Sequence, residues 1–289
     1  SYFKSRFRLK KMLKQSRIDL AHVHVTHGLS WWRKLSLMKI INKFQVPTVV
    51  HIHSGKFEEF CAGLPGKSVR RNLDKPNTRV VLLEERWLSK LGRYVPKNTV
   101  VIRNFSEDRG TRKKKGPQEI LKLLQLSRGG EVKGTEFSKL VFEQLKDMGI
   151  RVKLDITGSH PRKSEDSIEG IEEHGWVGDE KKASLIDEAD FLLSPSKYEG
   201  SSMSVIEAIV CGLPPIVSEA SIETAGPRLV VPLEDPKEWA LKIRDFSKQD
   251  EYESLKTYLK EIAVNYHEEN AVKEWGDLYD SLLLSHDGN

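Results

Sequence analysis

The chain has 289 residues, enough for two domains of ordinary size or one large α/β domain. Hydrophobic residues make up 38% and charged residues 31%, which excludes a disordered polymer, and no apolar run approaches the roughly 20 residues a membrane-spanning helix needs. Cys61 and Cys211 form no CxxC pair and exclude a disulfide framework, so a cytoplasmic setting is expected.

The net charge of +5 conceals an asymmetry. Residues 1–17 carry seven basic side chains and no acid, whereas fourteen acids face seven bases from Glu234 onward. The basic segment is predicted to be a helix, with Phe3, Phe7, Met12 and Leu13 as a modest apolar side. A solvated helix packed on a sheet is the plain reading; attraction to an anionic membrane surface is the functional one. Nucleic acid is not an expected partner, because no recognised module and no aromatic-basic platform is present.

Short β-branched runs followed by turn residues predict strands at 19–26, 48–52, 80–83 and 99–102 in the front half. The back half continues with strands at 121–126, 152–157, 191–194, 215–217 and 229–231. Helical patterns lie between them, at 30–44 with Ser30 as N-cap, then at 135–148, 179–188, 204–210 and 237–246. The last fifty residues are predicted almost wholly helical. This alternation argues for an α/β protein with two doubly wound parallel-sheet domains facing a cleft. Residues 107–118 hold Gly110, Gly116, Pro117 and the basic run 112–115, and are expected to be a linker. The expected division is thus a front domain over 1–106 and a back domain over 119–265. A final helix over 266–289 is expected to return to the front domain.

The segment 191–217 carries the most chemistry. Its loop, Gly200, Ser201, Ser202, Met203 and Ser204, is mostly small and polar and feeds a helix N-terminus, where free N–H groups favour an anion such as phosphate. Glu199 stands at the loop's mouth and Glu207 eight positions later, in the first helical turn by this reading. Two carboxylates would repel a phosphate, so they are assigned to the hydroxyls of a sugar and a ribose. A second loop, at 127–134, presents Arg128 and Lys133 at the C-terminal edge of a parallel strand, suited to gripping a diphosphate.

Five of the nine histidines, His22, His24, His27, His51 and His53, fall on or beside two predicted strands, where alternation places His22 with His24 and His51 with His53. A hydrolase metal centre is one reading of such an H-x-H strand, but the front half supplies no convincing set of further ligands.

The pattern Glu199-x7-Glu207 followed by A-x-x-x-G-x-P, ending at Gly212 and Pro214, resembles the family-4 glycosyltransferases of the GT-B fold. Residues 127–134 are similar to that family's G-R-x4-K-G segment, with Ser127 in place of its first Gly. The strand 19–24 resembles its D-x-x-H-x-H strand, and 47–53 its strand ending in T-x-H. The resemblance implies transfer of a sugar from a nucleotide diphosphate sugar to a hydroxyl acceptor, glycan or lipid-linked, with retention of configuration. It implies that Arg128 and Lys133 stabilise the leaving diphosphate, Glu199 holds the transferred sugar, Glu207 the ribose and His53 the sugar from the front domain. Gly134, Gly158 and Val177 would shape the donor pocket through their backbone. It implies no metal and no other cofactor. The resemblance starts late, at a helix and strand that normally lie mid-domain, so the front domain is expected to lack on the order of 60 or more residues, as a fragment or as a reduced family member. A donor-binding subunit that works with a partner chain is therefore the alternative. Activity at the inner face of a membrane would suit a lipid-linked acceptor.

Overall fold

The computed structural model describes residues 2–107, 110, 112, 116–158 and 168–287. Two compact units are present, one formed by Ser1–Arg103 with Glu269–Asn289, the other by Asn104–Glu268.

The first unit is built on a parallel sheet of β1 (Ala21–Val25), β2 (Thr48–Ile52), β3 (Thr78–Leu82) and β4 (Val100–Val101), in that spatial order. Strand β2 is buried along its whole length, as a central strand covered on both faces must be. On one face Val23, Val25, Val50, Ile52, Val80 and Leu82 form a core. Packed into it are α1 (Tyr2–Lys14), α2 (Leu29–Lys43), α3 (Phe57–Ala62), α4 (Gly66–Leu73) and α5 (Arg86–Leu91), through side chains such as Leu13, Trp31, Phe57, Val69 and Trp87. On the other face the C-terminal helix (Glu268–Asp287) lays Leu278 and Leu282 against Val49, Val81 and Ile102.

The second unit holds β5 (Leu121–Gln125), β6 (Val152–Thr157), β7 (Ile171–Gly175), β8 (Phe191–Ser194) and β9 (Pro215–Val217), all parallel in the order β7-β6-β5-β8-β9. That is the doubly wound order, which reverses between β5 and β8 and leaves a crevice beyond their C-terminal ends. Helices α6 (Thr135–Asp147), α7 (Asp179–Glu188), α8 (Met203–Cys211), α9 (Ile222–Ala225), α10 (Pro236–Phe246) and α11 (Gln249–Ala263) complete it. Trp239 of α10 is wholly buried and donates its indole N–H to the Pro232 carbonyl at 2.7 Å.

Several sequence expectations need correction. Helix α2 starts at Leu29, with Gly28 rather than Ser30 in the N-cap position; Gly28 has φ 67°, a conformation a side chain would resist. No strand forms at 229–231. A 3-10 turn, Pro227–Leu229, occupies its start, and only Val230 bridges to Val217. Strand β7 was unforeseen, since Ile-Glu-Glu-His-Gly is polar enough for an edge strand and too polar to be read as one. Arg112, expected in a linker, is buried and donates to the carbonyls of Asp187, Ala189 and Gly212 at the ends of α7 and α8. A guanidinium satisfies helix C-terminal carbonyls and matches the negative end of the dipole. Residues 113–115 of that basic run lie outside the described residues.

Candidate functional site

Described residues of four loops meet beyond the C-terminal ends of β5, β6, β7 and β8. The first, 126–134, is shaped by Gly129, Gly130 and Gly134, at φ 73°, 99° and 69°. Gly134 is needed for a second reason: a Cβ there would collide with the Pro195 carbonyl oxygen. The loop is pinned where Gln125 donates to the Lys133 carbonyl at 2.9 Å and Lys197 N–H to the Val132 carbonyl at 2.9 Å. Gly158, with φ 74°, closes against the Ser127 carbonyl in the same manner.

Within this frame Lys133 Nζ donates to Glu199 Oε1 at 2.6 Å, and the Glu199 side chain is only 10% exposed. The two residues assigned from sequence to different parts of a donor are therefore bonded to each other. Arg128 is exposed and has no hydrogen bond or ion pair among the described residues. A cavity of about 250 Å³ lies beside it, lined by Arg128, Gly158, Trp176, Val177, Ser204 and Glu207, together with Lys182. No side chain caps α8, so its first N–H groups stay available beside Ser204. A larger cavity, about 700 Å³, is lined by other residues of the 126–134 loop, Gly134 among them, and shares Arg128 and Gly158 with the first.

Most residues singled out from sequence are thus brought to one sheet edge. Arg128, Gly158, Val177, Ser204 and Glu207 share a cavity, and Lys133 pairs with Glu199. Gly200, Ser201, Ser202 and Met203 form the turn into α8 without lining that cavity; Ser202 is buried, its hydroxyl 3.3 Å from that of Ser204. Glu207 is the fifth residue of α8 and so lies in the second turn, because the helix begins one residue earlier than predicted. Sequence reasoning missed Lys182 of α7, which donates to Glu207 Oε1 at 3.2 Å. Nothing in local spacing announces a lysine that acts on a carboxylate 25 positions away. Trp176, which sequence reasoning did not single out, stands 80% exposed at the rim.

His53 belongs to the first unit, one residue past β2, and its ring lies in a histidine cluster. His24 Nδ1 and His53 Nε2 share a 2.8 Å hydrogen bond, and His22 Nε2 lies 3.3 Å from His51 Nδ1. His24 sits directly opposite His51 in the parallel register. Burial, reinforced by neighbouring imidazoles, lowers His22 and His53 from 6.5 to about 4 and His51 to about 2. These rings are neutral at physiological pH.

Residues 120–249 match the model of the family described as Glycosyl transferases group 1. No curated protein sequence matches the chain. Among solved structures the fold is similar to sucrose-phosphate synthase from Thermosynechococcus elongatus, with 18% identity, 98% of this chain and 78% of that one covered, and a TM-score of 0.78. It is also similar to Anabaena Alr3699/HepE in complex with UDP-glucose, with 13% identity, coverage of 94% and 82%, and a TM-score of 0.72. A GtfA/B complex is a third, with 15% identity, coverage of 95% and 60%, and a TM-score of 0.66. The chain spans less than two thirds of the last of these. At such identities the likeness shows the fold, two parallel α/β sheets of the kind found in GT-B glycosyltransferases.

Proposed function

We propose that this chain is a glycosyltransferase, moving a sugar from a nucleotide diphosphate sugar to a glycan or lipid-linked hydroxyl with retention of configuration. One observation carries the reading: residues 120–249, matched by the group 1 glycosyltransferase model, contain every loop that builds the 250 Å³ cavity. Arg128, without a partner of its own among the described residues, and Lys133 receive the diphosphate, aided by the uncapped start of α8. As the diphosphate engages Lys133, Glu199 is released from its ion pair and accepts from the sugar's hydroxyls. Glu207, steadied by Lys182, accepts from the ribose, and the backbone at Gly158 and Val177 flanks the base. His53 is proposed as a catalytic residue on the motif resemblance alone.

The positive charge at the diphosphate comes from side chains, so donor binding needs no metal or other cofactor, and EDTA is expected to leave nucleotide affinity unchanged. The basic α1 attaches the protein reversibly to an anionic membrane on its cytoplasmic side, where a lipid-linked acceptor would lie. The test is incubation with UDP-, GDP- and ADP-sugars and a panel of hydroxyl acceptors, with product anomers read by proton NMR. Consumption of one donor, its anomeric configuration kept in the product, is expected. Consumption of none, with no nucleotide bound, contradicts the proposal. A second reading, a donor-binding subunit that needs a partner chain, is favoured by the likeness to the GtfA/B complex. Binding without turnover by the isolated chain would select it.

A further inference from the structure

The histidine cluster belongs to the first unit and the donor cavity to the second, so the chemistry of the cluster stands independently of the glycosyltransferase reading. We propose that His22, His24 and His51 form a binding site for a borderline divalent cation of the Zn²⁺ class.

The ring nitrogens already have the spacing of ligands. His22 Nε2 and His51 Nδ1 stand 3.3 Å apart. Two nitrogens bound at 2.0–2.1 Å to a tetrahedral Zn²⁺ lie roughly 3.3–3.4 Å from each other, so this pair matches two coordination corners. Each of the three rings presents a nitrogen within 4.8 Å of the other two. His24, the exposed member, closes the third corner by a small side-chain rotation.

Two of the three outer nitrogens are held as a metal site requires, while His51 Nε2 is buried with no hydrogen-bond partner in the protein. Metal-bound histidines donate their other ring N–H to a fixed partner, which sets the tautomer and aims the lone pair. His22 Nδ1 meets the Tyr279 hydroxyl at 2.7 Å, and His24 Nδ1 meets His53 Nε2 at 2.8 Å. With Nδ1–H donating in both bonds, Nε2 of each ring is left as the lone-pair donor.

The surroundings are rigid on one side and open on the other. The Trp275 ring packs 4.7 Å from His22 and 5.0 Å from His51, and His51 is only 5% exposed, so two ligands are held firmly beneath the C-terminal helix. His24 opens to solvent, which leaves a fourth position for water. Three imidazoles without a carboxylate suit Zn²⁺, Ni²⁺ or Cu²⁺ and not Mg²⁺ or Ca²⁺. Through the His24–His53 bond, a bound ion fixes the His53 ring.

The test uses the full chain, purified without a polyhistidine tag, stripped by chelator and titrated with Co²⁺ as a visible-absorbing probe. One equivalent of Co²⁺ is expected to give the strong visible band of a four- or five-coordinate site, abolished by one equivalent of Zn²⁺. His24→Ala, at an exposed position, and Tyr279→Phe should each weaken Co²⁺ affinity by about 10-fold or more, with circular dichroism unchanged. A spectrum no stronger than that of free Co²⁺ overturns the proposal. So does a band indifferent to His24→Ala, which would belong to the other candidate cluster among the described residues, Asp155, Glu172 and His174. Nucleotide titration of the same samples is read separately, so failure of donor binding and failure of metal binding are distinguishable.

Discussion

Lys133 and Glu199 are bonded to one another at 2.6 Å, a pair that the proposed donor would have to open. This pairing makes their contributions interdependent. Glu199→Gln or Arg128→Ala is expected to lower turnover by at least about 10²-fold, the usual loss when one preorganised charge-stabilising group is removed. Combining Glu199→Gln with Lys133→Ala should cost less than the two single losses together, since each single change already breaks the shared ion pair. Steady-state kinetics of the single and double variants checks both expectations. At Gly134 the constraint lies in the backbone. Its φ of 69° and its contact with Pro195 leave no room for a Cβ, so Gly134→Ala is expected to destabilise by more than about 1 kcal/mol in chemical denaturation. Lys133 and Gly134 were both visible in the sequence as members of one short loop. The neighbours that complete the site were not: Lys182 reaches Glu207 through the fold, and only the parallel order of the strands brings α7 beside α8.

At the scale of elements, the sequence was most legible where apolar runs are continuous. Strands β2, β8 and β9 fall on their predicted bounds because each is a short, wholly buried run, and β6 does so on its alternation of apolar and polar residues. It was least legible where tertiary contact replaces pattern, as in the polar edge strand β7 and the short helices α3 and α5. Helix α1 was assigned the right type and the wrong faces. Leu9, Met12 and Leu13 turn inward, but Phe3 and Phe7 are 77% and 73% exposed, along with Lys4, Lys10, Lys11 and Lys14. Two aromatic rings amid basic residues on one solvent-facing side fit the membrane attachment proposed for α1. Each base near an anionic surface contributes about 1 kcal/mol before salt screening. Salt-sensitive binding to anionic vesicles and none to neutral ones is therefore expected in a flotation assay. It should be lost when Lys10, Lys11 and Lys14 are changed to Gln and weakened by Phe3→Ser with Phe7→Ser. Equal binding to both vesicle types would remove the membrane from the account.

For the whole molecule, the histidine cluster ties stability to pH. His22 and His53 titrate near 4 and His51 near 2 in the folded chain, against 6.5 when unfolded. The unfolded chain therefore takes up protons that the folded rings refuse. Stability from this source is intact above about pH 6.5, falls as the pH drops towards 4, and for His51 continues to fall below that. Melting temperatures at pH 7.5, 6 and 5 should decline in that order, and His22→Gln should flatten the trend; a trend unchanged by that variant would place its origin elsewhere. No helix among the described residues is long and apolar enough to cross a membrane. The central claim is that the cavity bounded by Arg128, Val177, Ser204 and Glu207 is a nucleotide site. Calorimetric titration with UDP, GDP and ADP, on the wild-type chain and on Glu207→Gln, tests it most directly. One nucleotide should bind at one equivalent per chain, and Glu207→Gln should weaken it by about 10-fold or more, the loss of a hydrogen bond to a charged group. Binding of none of the three, or an affinity unmoved by Glu207→Gln, would contradict it.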